Sequence, residues 1–151
     1  MEDNYFASVG AIVFRGDEVL LVRHTYGAAE GKLLNPSGYI KYGEMPYDAL
    51  KREVLEETGI EINPVGLLSV RCGIKDWWLV FLADYVSGTP RSDCEENNEV
   101  LFMPCEVAIN HPDVTDAVKI LLELAKKDKI FTANEEYAKL LSKYGVMFSQ
   151  S

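Results

Sequence analysis

Cysteine is scarce: Cys72, Cys94 and Cys105 are the only three in 151 residues. Their odd number and wide spacing exclude a disulfide framework and a cysteine-held zinc, and point to reduced thiols in a cytoplasmic protein. Basic residues are in deficit, with 15 Lys and Arg against 24 Asp and Glu and a net charge of −9. That balance argues against a nucleic-acid backbone or an anionic membrane as the main partner. Long apolar runs are missing, and the opening MEDNYF lacks a basic n-region, so neither a transmembrane span nor a secretory signal is expected. Repeats, low-complexity tracts and interdomain linkers are absent too. One domain over residues 1–151 is the expectation, large enough to bury a core.

The stretch Gly38–Ile60, GYIKYGEMPYDALKREVLEETGI, carries the chemistry. Pro46 suits the first helical position and Gly59 the left-handed residue just past a helix end, which predicts a helix over about 46–58. At about 100° per residue, Glu53, Glu56 and Glu57 share one side of that helix. Tyr47, Leu50 and Val54 form an adjacent apolar side that can dock on a sheet, and small Ala49 is expected to leave ligand space within the carboxylate arc. No lysine or arginine follows any of the three glutamates by four residues; only Arg52, four before Glu56, offers local relief. Divalent cations would offset the repulsion, and all-oxygen ligands suit Mg²⁺ or Mn²⁺.

Around this stretch the pattern alternates. Ser8–Phe14 and Glu18–His24 read as strands about a glycine-containing turn. Val65–Cys72, Trp77–Tyr85 and Glu99–Met103 read as further strands. Asp113–Lys127 repeats apolar residues at helical spacing, and a second helix over about Glu135–Tyr144 follows Asn134 as its N-cap. The expected architecture is α/β, a mixed sheet between helices, with a catalytic core over about 5–127. A short helical extension over about 128–151 could dock on the same domain or support a homodimer. Between Tyr85 and Val100 lie Asp93, Glu95, Glu96 and Glu99, from which a fourth site carboxylate is expected, Glu96 first.

The order G-x5-E-x7-R-E-V-L-E-E-T-G-I resembles the box of the Nudix (MutT-like) pyrophosphohydrolases. Seven specified residues and two aliphatics at fixed offsets arise by chance at roughly 10⁻⁹ to 10⁻¹⁰ per start position. The resemblance implies the α/β/α Nudix sandwich and a Mg²⁺-dependent hydrolysis of a nucleoside diphosphate linked to another group. It further implies metal ligation by Glu53, Glu56, Glu57, Glu96 and the Ser37 carbonyl, orientation of the glutamates by Arg52, and support from Glu44 either of the loop–helix geometry or of a bridging water. For the general base, Glu53 and Glu96 both stand. Arg23, at the end of the second strand, is a candidate for contact with phosphate or base, and one of Trp77 and Trp78 for stacking on a base.

The chain departs from the family's W-x-x-P-G-G approach to the box: Leu33 replaces the tryptophan, Ser37 the first glycine, and Lys41 an often acidic residue. The proline of the ADP-ribose subgroup, the tyrosine of the diadenosine-polyphosphate subgroup and the extension SQPWPFPxS of the NADH-cleaving subgroup are all absent at their usual distances. A nucleotide derivative is therefore expected without its second group being specified. The alternative is a nucleoside triphosphate pyrophosphohydrolase of the nucleotide pool; a non-catalytic nucleotide sensor is a third reading, opposed by the retained box carboxylates.

Overall fold

The computed structural model describes residues 6–150; Tyr5, the first residue of the expected core, and Ser151 lie outside them. Strands β1 (Ala7–Arg15) and β2 (Glu18–His24) form a hairpin, followed by the short strands β3 (Leu33–Leu34) and β4 (Ser37–Tyr39). Helix α1 (Pro46–Thr58) then leads into the long strands β5 (Glu61–Cys72) and β6 (Trp77–Ser87), and β7 (Asn97–Pro104) closes the sheet. The seven strands run in the order β3-β2-β1-β6-β5, with β4 beside β1 and β7 beside β2. Only β1 and β6 pair in parallel, so the sheet is mixed.

Alternation along the strands makes the two faces. Val9, Ala11 and Val13 of β1 join Leu20, Phe81 and Ala83 under Leu50 and Val54 of α1. Ile12, between them, joins Val19, Leu21 and Val80 under Val118, Leu121 and Leu122 of α3 (Asp116–Ala125). The short helix α2 (Cys105–Ala108) adds Ala108 to this second layer. A strand whose neighbouring residues point to opposite faces can be apolar throughout only when both faces are covered, which is the condition β1 meets.

The limits of α1 coincide with the expectation: Pro46 opens it, and Gly59 closes it at φ 76°, its N–H donating to the Leu55 carbonyl. Ala49 does not line ligand space; it is fully buried in the core under α1. Strand β5 begins at Glu61, ahead of the expected Val65, because Pro64 sits at an irregularity in the pairing with β6, where no ladder donor is required. Helix α3 starts at Asp116, after Thr115 accepts the Val118 N–H as its N-cap; Asp113 is occupied elsewhere.

The last residues fold back on the domain. Phe131 and Leu67 exchange backbone hydrogen bonds of 2.7 and 2.9 Å along the outer edge of β5. Strand β8 (Thr132–Ala133) pairs with β9 (Phe148–Ser149), and α4 (Glu135–Leu141) lies between them, with Asn134 accepting the Tyr137 N–H at 2.8 Å. A 3-10 turn over Ser142–Tyr144 completes what the sequence presents as one helix. Phe148 enters the core against Tyr47 and Phe81 at ring distances of 5.5 and 5.4 Å.

Candidate active site

A cavity of about 790 Å³ opens across the sheet, lined by Glu53, Glu56 and Glu57 of α1, by Arg52, Ser37, Gly38 and Lys41, and by Glu96. His24, Tyr26, Asn35, Arg71, Asp76 and Trp78 complete much of the remaining wall. The volume falls within the range of small-molecule sites.

Arg52 organises the carboxylate side. Its guanidinium grips Glu44 through two hydrogen bonds of 2.8 and 3.0 Å, donates to Glu53 at 2.7 Å and to the Tyr39 carbonyl at 3.1 Å, and reaches Glu56 at 3.3 Å. Glu44 in turn accepts the Lys41 N–H at 3.1 Å, tying the loop before α1 to the helix. The Arg52 charge holds the Glu44 carboxyl below its ordinary range. Burial pushes the Glu53 carboxyl the other way, against the pull of Arg52.

Glu57 is the extreme case. It is 6% exposed, and burial, reinforced by the charges of Glu53 and Glu96, pushes its carboxyl up to about 9. The nearby Ser37 backbone N–H opposes that rise only in part, and Oε2 has no hydrogen-bond partner among the described residues. A buried oxygen left without a donor costs free energy unless something arrives to use it. A divalent cation, which takes carboxylate oxygens and relieves like-charge repulsion, fits that orphaned atom. Among the described residues no three His, Cys, Asp or Glu side chains are drawn together tightly enough to form a ready metal cluster; Glu53 is turned to Arg52 instead.

Glu96 reaches the site on a tight loop. Asp93 Oδ1 accepts the N–H groups of Glu95, Glu96 and Asn97 at 2.9, 3.0 and 3.1 Å. Asn97, 1% exposed, donates from Nδ2 to the Glu57 carbonyl at 3.0 Å and so fastens the loop to α1. Of the acidic residues from Asp93 to Glu99, Glu96 lines the cavity and Asp93, Glu95 and the β7 residue Glu99 do not.

Arg23 is placed otherwise than expected. Its guanidinium is committed to Glu99 at 2.8 Å, Asp113 at 2.9 Å and the Gly31 carbonyl at 2.8 Å, and it does not line the cavity. A strand-end arginine held by an acid across the sheet and another from the turn before α3 becomes a strut, a pairing no local sequence signal announces. Trp78 lines the cavity, whereas Trp77 lies outside it against Phe6. Asn97, Asn35 and the Arg71–Asp76 pair escaped the sequence reading: Asn97 finds its partner 40 residues away on α1, and Asn35, Arg71 and Asp76 carry no periodic or motif signal that marks them as cavity-lining.

The sequence model of the NUDIX domain matches residues 4–124. The chain belongs to the Nudix family. Among characterised Nudix relatives it is 35% identical over 95 residues to the zebrafish (Danio rerio) 8-oxo-dGDP phosphatase NUDT18, covering 62% of this chain and 29% of that protein. To the NAD-capped RNA hydrolase NudC of Actinobacillus succinogenes it is 29% identical over 126 residues, 76% of this chain and 46% of that one. The chain thus spans less than half the length of either relative. Nudix hydrolase structures from Nitrosomonas europaea superpose with a TM-score of 0.71 at 23% identity, covering 84% of this chain and 75% of that chain, and 0.68 at 26%, covering 82% and 90%. The Nudix fold is thereby established.

Proposed function

We propose that the chain is a divalent-cation-dependent pyrophosphohydrolase that cleaves a nucleoside diphosphate linked to a second group, water attacking phosphorus. The observation that carries the reading is the buried Glu57 carboxyl group, its Oε2 without a hydrogen-bond partner among the described residues, beside Glu53 and Glu96 on one wall of a nucleotide-sized cavity. Names of the relatives support nucleotide chemistry of this kind.

Glu53, Glu56, Glu57, Glu96 and the Ser37 carbonyl would hold Mg²⁺, which Mn²⁺ could replace. Bound there, the cation supplies charge neutralisation for the phosphates and activation of water. Arg52 keeps Glu53 and Glu44 in fixed orientation, so that little reorganisation is left for the reaction itself. Glu96, on the exposed loop, is the first candidate to accept the proton of the attacking water, with Glu53 the second. Lys41 at the cavity wall offers a positive charge to an anionic substrate. A free nucleotide rather than a nucleic-acid strand fits the net charge of −9, and unpaired thiols at all three cysteines fit a cytoplasmic setting.

Hydrolysis of a nucleotide panel in heavy-oxygen water tests the reading. The label is expected on a phosphate product, and only when Mg²⁺ or Mn²⁺ is present. Label on a sugar carbon would mean a glycosidic reaction. If triphosphates, releasing pyrophosphate, outrun every diphosphate derivative, the nucleotide-pool reading takes its place.

A further inference from the structure

The sheet face that packs α3 contributes a different kind of wall to the cavity. A methyl group built on Gly10 would lie 2.7 Å from Trp78 Nε1, 2.8 Å from Ser37 Oγ and 2.9 Å from Asn35 Nδ2. The missing side chain at Gly10 therefore lets polar atoms from β4, β6 and the turn before β4 converge over one point of β1. All three of their residues line the cavity.

Two of those atoms are obligate N–H donors, because neither an indole nitrogen nor a carboxamide nitrogen accepts a hydrogen bond. Both are poorly satisfied. Asn35 is 3% exposed, yet its Nδ2 reaches only the Pro36 carbonyl at 3.4 Å and Ser37 Oγ at 3.5 Å, beyond the usual range of about 2.7–3.2 Å. Reversing the carboxamide would turn Oδ1 onto the Pro36 carbonyl, so the donor side faces the cluster. Trp78 Nε1 donates to none of the described residues. The charged groups along the same wall do not compensate: Arg71 and Asp76 are paired with each other at 2.8 Å, and Ser8 Oγ donates to Asp76.

Two converging N–H groups are complementary to an oxygen with two lone pairs. The exocyclic carbonyl of a nucleobase has two, an aromatic ring nitrogen has one, and an exocyclic amino group presents N–H donors that would oppose the cluster. We propose that Asn35 and Trp78, gathered with Ser37 over Gly10, form a carbonyl-selecting subsite that favours keto bases over their amino counterparts. The assignment rests on the nucleotide reading above and narrows it to hypoxanthine-, guanine- or uracil-type substrates.

The probes are nucleoside monophosphates, which lack the bond cleaved in the proposed reaction and so report binding alone. IMP and AMP form one matched pair and UMP and CMP another, each differing at the carbonyl-or-amino edge while sharing sugar and phosphate. Dissociation constants come from titration calorimetry. In parallel, the indole N–H resonance of Trp78, identified by its loss in Trp78→Phe, is followed in ¹⁵N-labelled protein. The keto member of at least one pair is expected to bind about tenfold more tightly or better, and to move the Trp78 indole signal where its partner does not. Trp78→Phe, which keeps the aromatic surface, and Asn35→Leu, which keeps the volume, should each bring the affinity ratio toward one.

Equal affinity within both pairs overturns the subsite, and would mean that any oxygen it takes belongs to sugar or phosphate. A ratio that survives in both variants overturns it as well, as does an absence of saturable binding by all four nucleotides. Metal-dependent phosphate release from diphosphate substrates is measured separately. Its failure would remove the hydrolytic reading and leave the pair ratios to decide the subsite.

Discussion

Gly38 stands where β4 passes beneath the box helix, and a Cβ at that position would overlap the Glu53 carboxyl group. Gly38→Ala must therefore push Glu53 away from Arg52 or lift β4 off α1. Turnover is expected to fall by about 10²-fold, the scale on which small misplacements of reacting groups act, and steady-state kinetics with saturating Mg²⁺ checks it. Glu57 makes a prediction of another kind, about pH. Its carboxyl rises from an ordinary 4.5 to about 9 on folding, so between those values the folded chain holds a proton that the unfolded chain has lost. Stability of the protein stripped of divalent cations should decline as pH rises across that window. Glu53 acts in the same direction; Glu44, held down by Arg52, acts oppositely and withdraws its contribution as pH falls. Thermal melts in EDTA from pH 5 to 9 should show the decline, and Glu57→Gln should flatten it. A wild-type melting temperature that stays level or rises with pH would contradict the burial of this carboxylate. The three helix glutamates were legible in the sequence because a single helical period places them. The strut role of Arg23 was not, because Glu99, its partner across the β2–β7 pairing, and Asp113, in the turn before α3, reach it only in the folded chain.

Among the elements, α1 was readable to its last residue, since its start and stop signals are local: a proline at the first turn and a glycine in the left-handed region. The loop before β7 was readable only as an acidic segment. What gives it shape is Asp93 collecting three successive N–H groups, and what gives it a position is Asn97 on the Glu57 carbonyl. The second bond joins residues 40 apart in sequence, beyond the reach of any periodicity. If Glu96 serves as proposed, Asn97 is a positioning residue, and Asn97→Asp, which removes the donor and keeps the shape, should lower kcat by about tenfold or more while changing KM little. Glu96→Gln should lower kcat by about 10²-fold or more, and Glu95→Gln, at a residue outside the cavity, should not. The Asn97→Asp loss should be absent in a Glu96→Gln background, because the two act through one group. Additive losses would show that Asn97 works only by supporting the fold.

At the scale of the whole molecule, the two-layer core follows from strands apolar on both faces, which the sequence displays plainly, whereas the fate of the C-terminal residues turns on contacts too small to read. Strands β8 and β9 have two residues each, and a two-residue strand has no pattern. Their effect is nonetheless global. The exchange between Phe131 and Leu67 covers part of the outer edge of β5, which would otherwise present unpaired backbone groups to other chains. Gly66 permits this approach, since a Cβ there would lie 2.8 Å from both the Phe131 carbonyl and the Ile130 side chain. Phe148 then locks the tail against Tyr47, a residue of the box helix itself. Residues 128–150 therefore pack on the sheet and helix that precede them, and Tyr47 of α1 takes one of its ring contacts from Phe148. Phe148→Ala should destabilise the protein by about 1–3 kcal/mol, below the usual cost of a fully buried phenylalanine because the residue is partly exposed. Denaturant melts measure that loss. Ending the chain after Lys127 should cost more, and should add concentration-dependent association through the bared β5 edge, visible by light scattering. A truncated chain that melts like the full-length protein and stays monomeric would show that the tail merely rests on the domain.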